Sequence, residues 1–141
     1  MDKNITVETV VDAAPETLWK VWNDPARIQT WAFASDDWHC PKASNDLRIG
    51  GRFSTTMAAK DGSMSFDITG TYTAVEPLKA ISYTMDGDDA RKVSILFKEV
   101  AGGTKVVETF EMESENPREM QRAGWQSILD NFKKAAESYQ P

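Results

Sequence analysis

Sulfur and imidazole are scarce in this chain, which has one cysteine, Cys40, and one histidine, His39. A lone cysteine forms no internal disulfide, and a single thiol with a single imidazole falls short of the ligand set of a zinc site. We therefore expect no metal and no other cofactor. Cations are also outnumbered, 16 Lys and Arg against 22 Asp and Glu, and the resulting net charge of -6 excludes general binding to a phosphate backbone, which depends on clustered positive charge. Nucleic acid is not an expected partner. No cationic segment followed by an apolar one opens the sequence, and no apolar run approaches the roughly 20 residues that span a bilayer. The expectation is a cytoplasmic protein without membrane insertion. At 141 residues, 40% of them hydrophobic, the chain has enough apolar material for one well-filled domain over residues 1–141 and too little length for two of ordinary size.

What is present is organised by period. Ile5, Val7 and Thr9 alternate with Thr6, Glu8 and Val10, as in a half-buried strand. Pro15 then stands where a helix accepts proline, at its first position, and Leu18, Trp19, Val21 and Trp22 give that helix an apolar face up to Asn23. Asp24 followed by Pro25 starts a second, shorter helix reaching about Trp31, since Asp caps well and Pro fits the first turn. From Arg48 to Ser114 the pattern becomes short alternating runs broken by Asp61-Gly62, Glu76-Pro77, Asp86-Gly87 and Gly102-Gly103, which predicts an antiparallel meander. One face of it reads Phe53, Thr55 and Met57, then Met64, Phe66 and Ile68, then Ile81, Tyr83 and Met85. The same face continues through Val93, Ile95 and Phe97 to Val106, Phe110 and Met112. Asn116 as N-cap, Pro117 at the first position and Glu119 two residues on then start a long helix running to about Ser138. Trp125, Ile128, Leu129, Phe132 and Ala136 line one side of it, while Asp130, Lys133, Lys134 and Glu137 point away. An α+β fold follows, in which a curved antiparallel sheet of about six or seven strands wraps the long C-terminal helix, with two short helices after strand one.

Between the helices and the meander lies Asp46-Leu47-Arg48-Ile49-Gly50-Gly51-Arg52-Phe53. Its glycine pair reads as a turn or bulge needing positive φ, because an anion-cradling glycine loop requires a following helix and the residues after Gly51 read as strand. This octapeptide is joined by Ala14-Pro15-Glu16 with Trp19, Asn23-Asp24-Pro25 with Trp31, and Gly70-Thr71-Tyr72 leading into Val75-Glu76-Pro77. Gly103-Thr104 and Gly124-Trp125 complete the set. In their order and spacing the chain resembles the START-like (SRPBCC) superfamily, and within it the family of homologues of the activator of heat-shock protein 90 ATPase. The resemblance spans essentially the whole length. It implies a helix-grip fold with a cavity between sheet and long helix, used in relatives for lipids, polyketides or other apolar molecules. It transfers no catalytic residue, since this fold hosts carriers, cyclases and co-chaperones.

The candidate ligand-binding residues follow from that arrangement. Trp31, Phe33 and Trp38 crowd the connection between the short helix and the sheet, where they either fill the core or close one end of a cavity. Phe53, Met57, Phe66, Tyr83, Phe97 and Phe110 belong to the inward face, and its methionines, Met57, Met64, Met85 and Met112, suit adaptable walls, with ordinary gap-filling the favoured reading. Glu108 falls in phase with Val106 and Phe110, so its carboxyl must find a partner, with Tyr83, Tyr72, Arg118 or His39 available, or take up a proton. Arg118 and Gln121 precede Trp125 and Leu129 on one helix face, either as a polar cavity mouth or as a first turn whose side chains reach to solvent. Gly124, costly in a helix interior, suggests a close approach to the helix backbone, with packing against the sheet favoured over ligand contact. His39-Cys40 points its two side chains in different directions and lacks a third group, so we assign no catalytic residue.

Three functions remain open, in this order. The first is a module holding a small apolar or amphipathic ligand, the second an enzyme of cyclase or hydrolase type with Glu108 and a nearby Tyr or His in acid–base roles. The third is a co-chaperone-like stimulator of a heat-shock chaperone ATPase, a partner suggested by the family alone and disfavoured because that co-chaperone carries a further N-terminal domain. A monomer or weak dimer is expected.

Overall fold

A computed structural model describes residues 3–139. In chain order the elements are β1 (Asn4–Val11), α1 (Pro15–Asn23), α2 (Pro25–Ile28), β2 (Trp38–Asn45), β3 (Arg52–Ala59), β4 (Ser65–Glu76), β5 (Ala80–Met85), β6 (Lys92–Val100), β7 (Gly103–Glu111) and α3 (Arg118–Glu137). The strands form one antiparallel sheet in the order β1-β7-β6-β5-β4-β3-β2, so β1 closes against the last strand while the rest is a meander. Alternation sets the register. Ile5, Val7 and Val11 of β1 are buried, and β7 buries Thr104, Val106, Glu108 and Phe110 while its other residues stay partly open. This is the helix-grip arrangement: a curled sheet, a long C-terminal helix, and two short helices after strand one.

The second half of α3 packs on α1 within the core. Leu129, Phe132 and Ala136 face Leu18 and Val21, all of them buried. The Phe132 ring meets Trp22 at 4.8 Å and Trp31 at 5.1 Å, both edge-on, the geometry that ring quadrupoles prefer. Trp31 can be buried there because its indole N–H donates to the Val21 carbonyl at 3.0 Å. Phe97 joins the same cluster, edge-on to Trp19 and Trp22 at 5.8 Å.

Four local expectations are corrected. The second helix stops at Ile28, and Trp31 follows in a turn, its N–H bonding the Ile28 carbonyl at 3.2 Å. An additional strand, β2, precedes the predicted start of the sheet. Its pattern is concealed because it lies at the sheet edge, buries only Cys40, and shifts register between His39 and Lys42, around Pro41, which has no N–H to give. Met64, expected on the inner face, lies outside β4 and is 59% exposed, because nothing packs over the tip of the β3–β4 hairpin. The long helix begins at Arg118 with Pro117 as its N-cap and no side-chain cap, so Asn116 does not hold that role.

The glycine pair behaves as the sequence requires. Gly50 has φ +83°, and a Cβ on Gly51 would lie 2.0 Å from the Asp46 carbonyl oxygen. Hydrogen bonds from Gly50 N to Tyr72 O (2.9 Å) and from Tyr72 N to Gly51 O (3.0 Å) anchor this turn to β4. Gly51→Ala should therefore destabilise the protein by about 2 kcal/mol or more, measured by urea unfolding. A loss under about 1 kcal/mol would mean that the turn shifts freely and does not fix the start of β3.

Candidate functional site

A cavity of about 580 Å³ lies between the inner face of the sheet and the first half of α3. Its existence follows from dimensions. Strands about 4.8 Å apart make a seven-stranded sheet much wider than a helix of about 10–12 Å diameter, and α3 packs on the β1 edge and on α1. The inner face of β3, β4 and β5 is left without a helix directly against it. Phe53, Thr55 and Met57 of β3, Ile68 and Tyr72 of β4, and Ile81 and Tyr83 of β5 form one wall, and Gln121, Gly124, Trp125, Ile128 and Leu129 of α3 form the other. Trp125 holds the helix at this height. Its ring stacks on Phe110 at 3.8 Å with an interplanar angle of 9°, and the cavity borders the same residue.

Gly124 stands open to this space. A Cβ built on it would meet no atom within 4 Å, so the expected packing of the sheet against the helix backbone is not what requires glycine here. The first turn of α3 is tied down by Gln121, which is buried. Its amide nitrogen donates to Glu113 O at 3.1 Å and Asn116 O at 2.8 Å, and its amide oxygen accepts from Glu113 N at 2.9 Å. These bonds tie the segment after β7 to the first turn of the helix.

Glu108 is the one acidic side chain in a row of aliphatic ones. It pairs across the sheet with Val7 on one side and Ile95 on the other, and Ile95 pairs in turn with Ile81. It is 6% exposed and borders the cavity. Burial raises its pKa from 4.5 to about 8, so the carboxyl is largely protonated at neutral pH. Among the described residues it makes no hydrogen bond or ion pair. The partners anticipated for it are engaged or distant: the Tyr72 hydroxyl donates to Asn45 Oδ1 at 2.6 Å, Arg118 donates to Asn4 O at 2.6 Å, and His39 is exposed on the edge strand. Burial raises the Tyr83 pKa well above its ordinary value, with Glu108 and then Tyr72 adding to the effect and Arg91 opposing it. Its ring meets Phe53 at 4.7 Å and Tyr72 at 6.3 Å, and Phe53 meets Tyr72 at 5.4 Å, an aromatic trio on the cavity wall. At the mouth, Asp86 is gripped by the Arg52 guanidinium and accepts from Thr69 Oγ1 at 2.7 Å, contacts that hold its carboxyl below the usual range.

Of the residues proposed from sequence, Trp31, Phe53, Met57, Phe66 and Tyr83 border the cavity. So do Glu108, Gln121, Trp125 and Leu129. Phe66 does so from the rim, 45% exposed, with Trp38 beside it at 5.8 Å but outside the lining. Phe97 and Phe110 sit within the core, and Phe33 packs at its margin with its carbonyl accepting from Asn131 Nδ2 at 2.6 Å. Arg118 turns to the β1 backbone. Cys40 is buried, its thiol pKa raised by burial and its Sγ–H donating to Lys42 O at 3.3 Å. Sequence reasoning missed Asn45, Asp86, Arg91 and Met120 as cavity residues. Asp86 and Arg91 flank a turn and Asn45 ends the unrecognised β2, so none carried an inward phase.

The fold matches known proteins along nearly the whole chain. Residues 12–137 match the family described as Activator of Hsp90 ATPase homolog 1-like protein. The chain belongs to this family. The solution structure of the AHSA1-like protein from Aeromonas hydrophila is 44% identical, covers 98% of each chain and superposes with a TM-score of 0.88. A protein of Cytophaga hutchinsonii is 49% identical over 99% of each chain, TM-score 0.81. A crystal structure from Chromobacterium violaceum, 24% identical with a TM-score of 0.86 over 99% of this chain and 100% of its own, shares the fold. Among curated proteins none matches the chain. No helix among the described residues is long and apolar enough to cross a membrane.

Two outcomes follow for the AHSA1-like cavity. Because the folded-state pKa of Glu108 lies above its unfolded value, its protonated form contributes stability in full below about pH 4.5, and this is lost as pH rises toward about 8. Urea unfolding at pH 5 and pH 8.5 should show wild type losing stability on the order of a few kcal/mol more than Glu108→Gln. Equal losses would remove the assigned burial effect. Gly124→Ala should raise stability by up to about 1 kcal/mol, since helix propensity improves and no atom obstructs the methyl group. Destabilisation instead would mean that the helix backbone is in closer contact than its surroundings indicate.

Proposed function

We propose that this protein binds a small apolar or amphipathic molecule between the sheet and α3. Gly124 carries the reading. A helix-interior glycine costs about 1 kcal/mol relative to alanine, and here no neighbour within 4 Å requires it. The room it leaves belongs to a cavity whose size falls within the roughly 300–1,000 Å³ of small-molecule sites, and whose walls are mainly aromatic and aliphatic with a few convergent polar groups. Met57, Met85 and Met120 add adaptable surface, suited to an apolar body of variable shape.

The enzyme reading stands second. A protonatable Glu108 beside the cavity supports acid–base chemistry, yet no base, nucleophile or second acid is hydrogen-bonded to it among the described residues. A chaperone partner is supported by the family description alone.

Native followed by denaturing mass spectrometry of the purified protein should reveal a small molecule that leaves on unfolding. In parallel, an apolar ligand at about a hundred times its Kd should stabilise the fold by about 2.7 kcal/mol, a rise of about 5–10 °C for a chain of this size. Gly124→Phe, which fills the space, should fold and lose that response. Absence of any released molecule, together with no melting-temperature response to a broad set of apolar compounds, would sink the proposal.

A further inference from the structure

The cavity's charge balance is uneven. Asp67, Asp86, Glu108 and Glu113 border it, against Arg91, which forms an ion pair with Asp89 at 3.0 Å although its buried Nε makes no hydrogen bond. Three of the four carboxylates have partners: Thr56 Oγ1 donates to Asp67 at 2.6 Å, Arg52 and Thr69 donate to Asp86, and the Asn116 N–H donates to Glu113 at 2.6 Å. Glu108 is the exception. It is also the most deeply placed, 6% exposed and flanked across the sheet by Val7 and Ile95. An unpartnered carboxyl in apolar surroundings is costly, and the cost is relieved by a group that brings N–H donors and positive charge.

We infer that the ligand is a protonated amine, an aliphatic or aromatic ammonium whose N–H groups donate to the Glu108 carboxylate while its apolar body fills the space under Gly124. This rests on the binding reading above and specifies its ligand. The aromatic trio Phe53, Tyr72 and Tyr83 suits a cation as well, because the faces of such rings carry negative potential. An anionic amphiphile gains no opposite charge from Glu108 in either protonation state, whereas an ammonium gains one once the carboxyl ionises.

Other titratable groups around Glu108 do not supply the missing charge. β4 contributes Asp67 and Tyr72, β5 contributes Tyr83, the turn after β5 contributes Asp86 and Arg91, and the segment after β7 contributes Glu113. β1 and β6 present Val7 and Ile95, and the cavity-lining residues of β2, β3 and α3 are uncharged. A bound ammonium stabilises the carboxylate over the acid, so binding displaces the Glu108 proton into solvent.

The test compares octylamine, 1-octanol and octanoate, which share one chain and differ in charge, by isothermal titration calorimetry on the wild-type protein and on Glu108→Gln. Octylamine should bind about tenfold or more tightly than 1-octanol, with octanoate weakest, and Glu108→Gln should abolish the preference for amine while retaining 1-octanol. In the wild type, octylamine affinity should rise between about pH 6 and pH 8.5 as Glu108 ionises, while the amine, with a pKa near that of lysine at about 10.4, stays charged. The pH series needs no variant. Binding of 1-octanol or octanoate at least as tight as octylamine would overturn the amine assignment and leave the cavity reading standing. Failure of all three to bind would overturn both.

Discussion

One stacked pair fixes the geometry on which the site depends. Trp125 lies flat on Phe110 at 3.8 Å, which ties α3 to β7 and, through the Ile5–Phe110 register, to β1. The second half of the helix is anchored independently by Phe132 between Trp22 and Trp31. With both halves drawn to one side of the sheet, β3, β4 and β5 curl around the helix without touching it closely. The cavity is thus a consequence of where the aromatic anchors sit. Moving α3 to the middle of the sheet would close the space and would also uncover Ile5, Val7 and Phe110, which are now almost wholly buried. The hydrophobic effect disfavours that exchange by about 1.5–3 kcal/mol for each large side chain exposed.

Much of this was legible in the sequence because burial and period coincide where elements are buried on one face. β1, β6 and β7 alternate cleanly, and α3 repeats its apolar residues at three and four. The edge strand β2 was invisible for the same reason: with only Cys40 buried and Pro41 interrupting the ladder, period two has nothing to report. Met64 failed in the opposite sense, since its phase is correct but the hairpin tip has no neighbour. The cap of α3 was misplaced because the helix starts at Arg118 behind Pro117, whose side chain caps nothing, while Gln121 reaches back to hold the Glu113 and Asn116 backbone. Tertiary contacts of that kind leave no local signature.

The site was legible to a lesser degree. Residues on regular elements, such as Phe53, Tyr83, Glu108 and Trp125, were found through their phase, whereas Asp86, Arg91 and Asn45 lie where strands end and phase is undefined. Aromatic phase alone also overreached. Phe97 and Phe110 point inward as expected, but α1 covers the first and Trp125 covers the second, so neither borders the cavity. Whether an inward residue meets a helix or a void depends on the helix position, which is a property of the assembled layers.

Two features of the inner surface work against stability, and their coincidence is informative. Gly124 weakens the helix by about 1 kcal/mol relative to alanine with no contact to justify it. Glu108 keeps a carboxyl among aliphatic neighbours, where a residue such as Val or Leu would fill the row without the cost of desolvation. Natural sequences are locally consistent with their folds except where another requirement competes. The two exceptions lie on different elements, one on α3 and one on β7. What they share is the cavity, and the ligand proposed for it would account for both at once: space beneath the helix for an apolar body, and an acid on the sheet to meet its polar end.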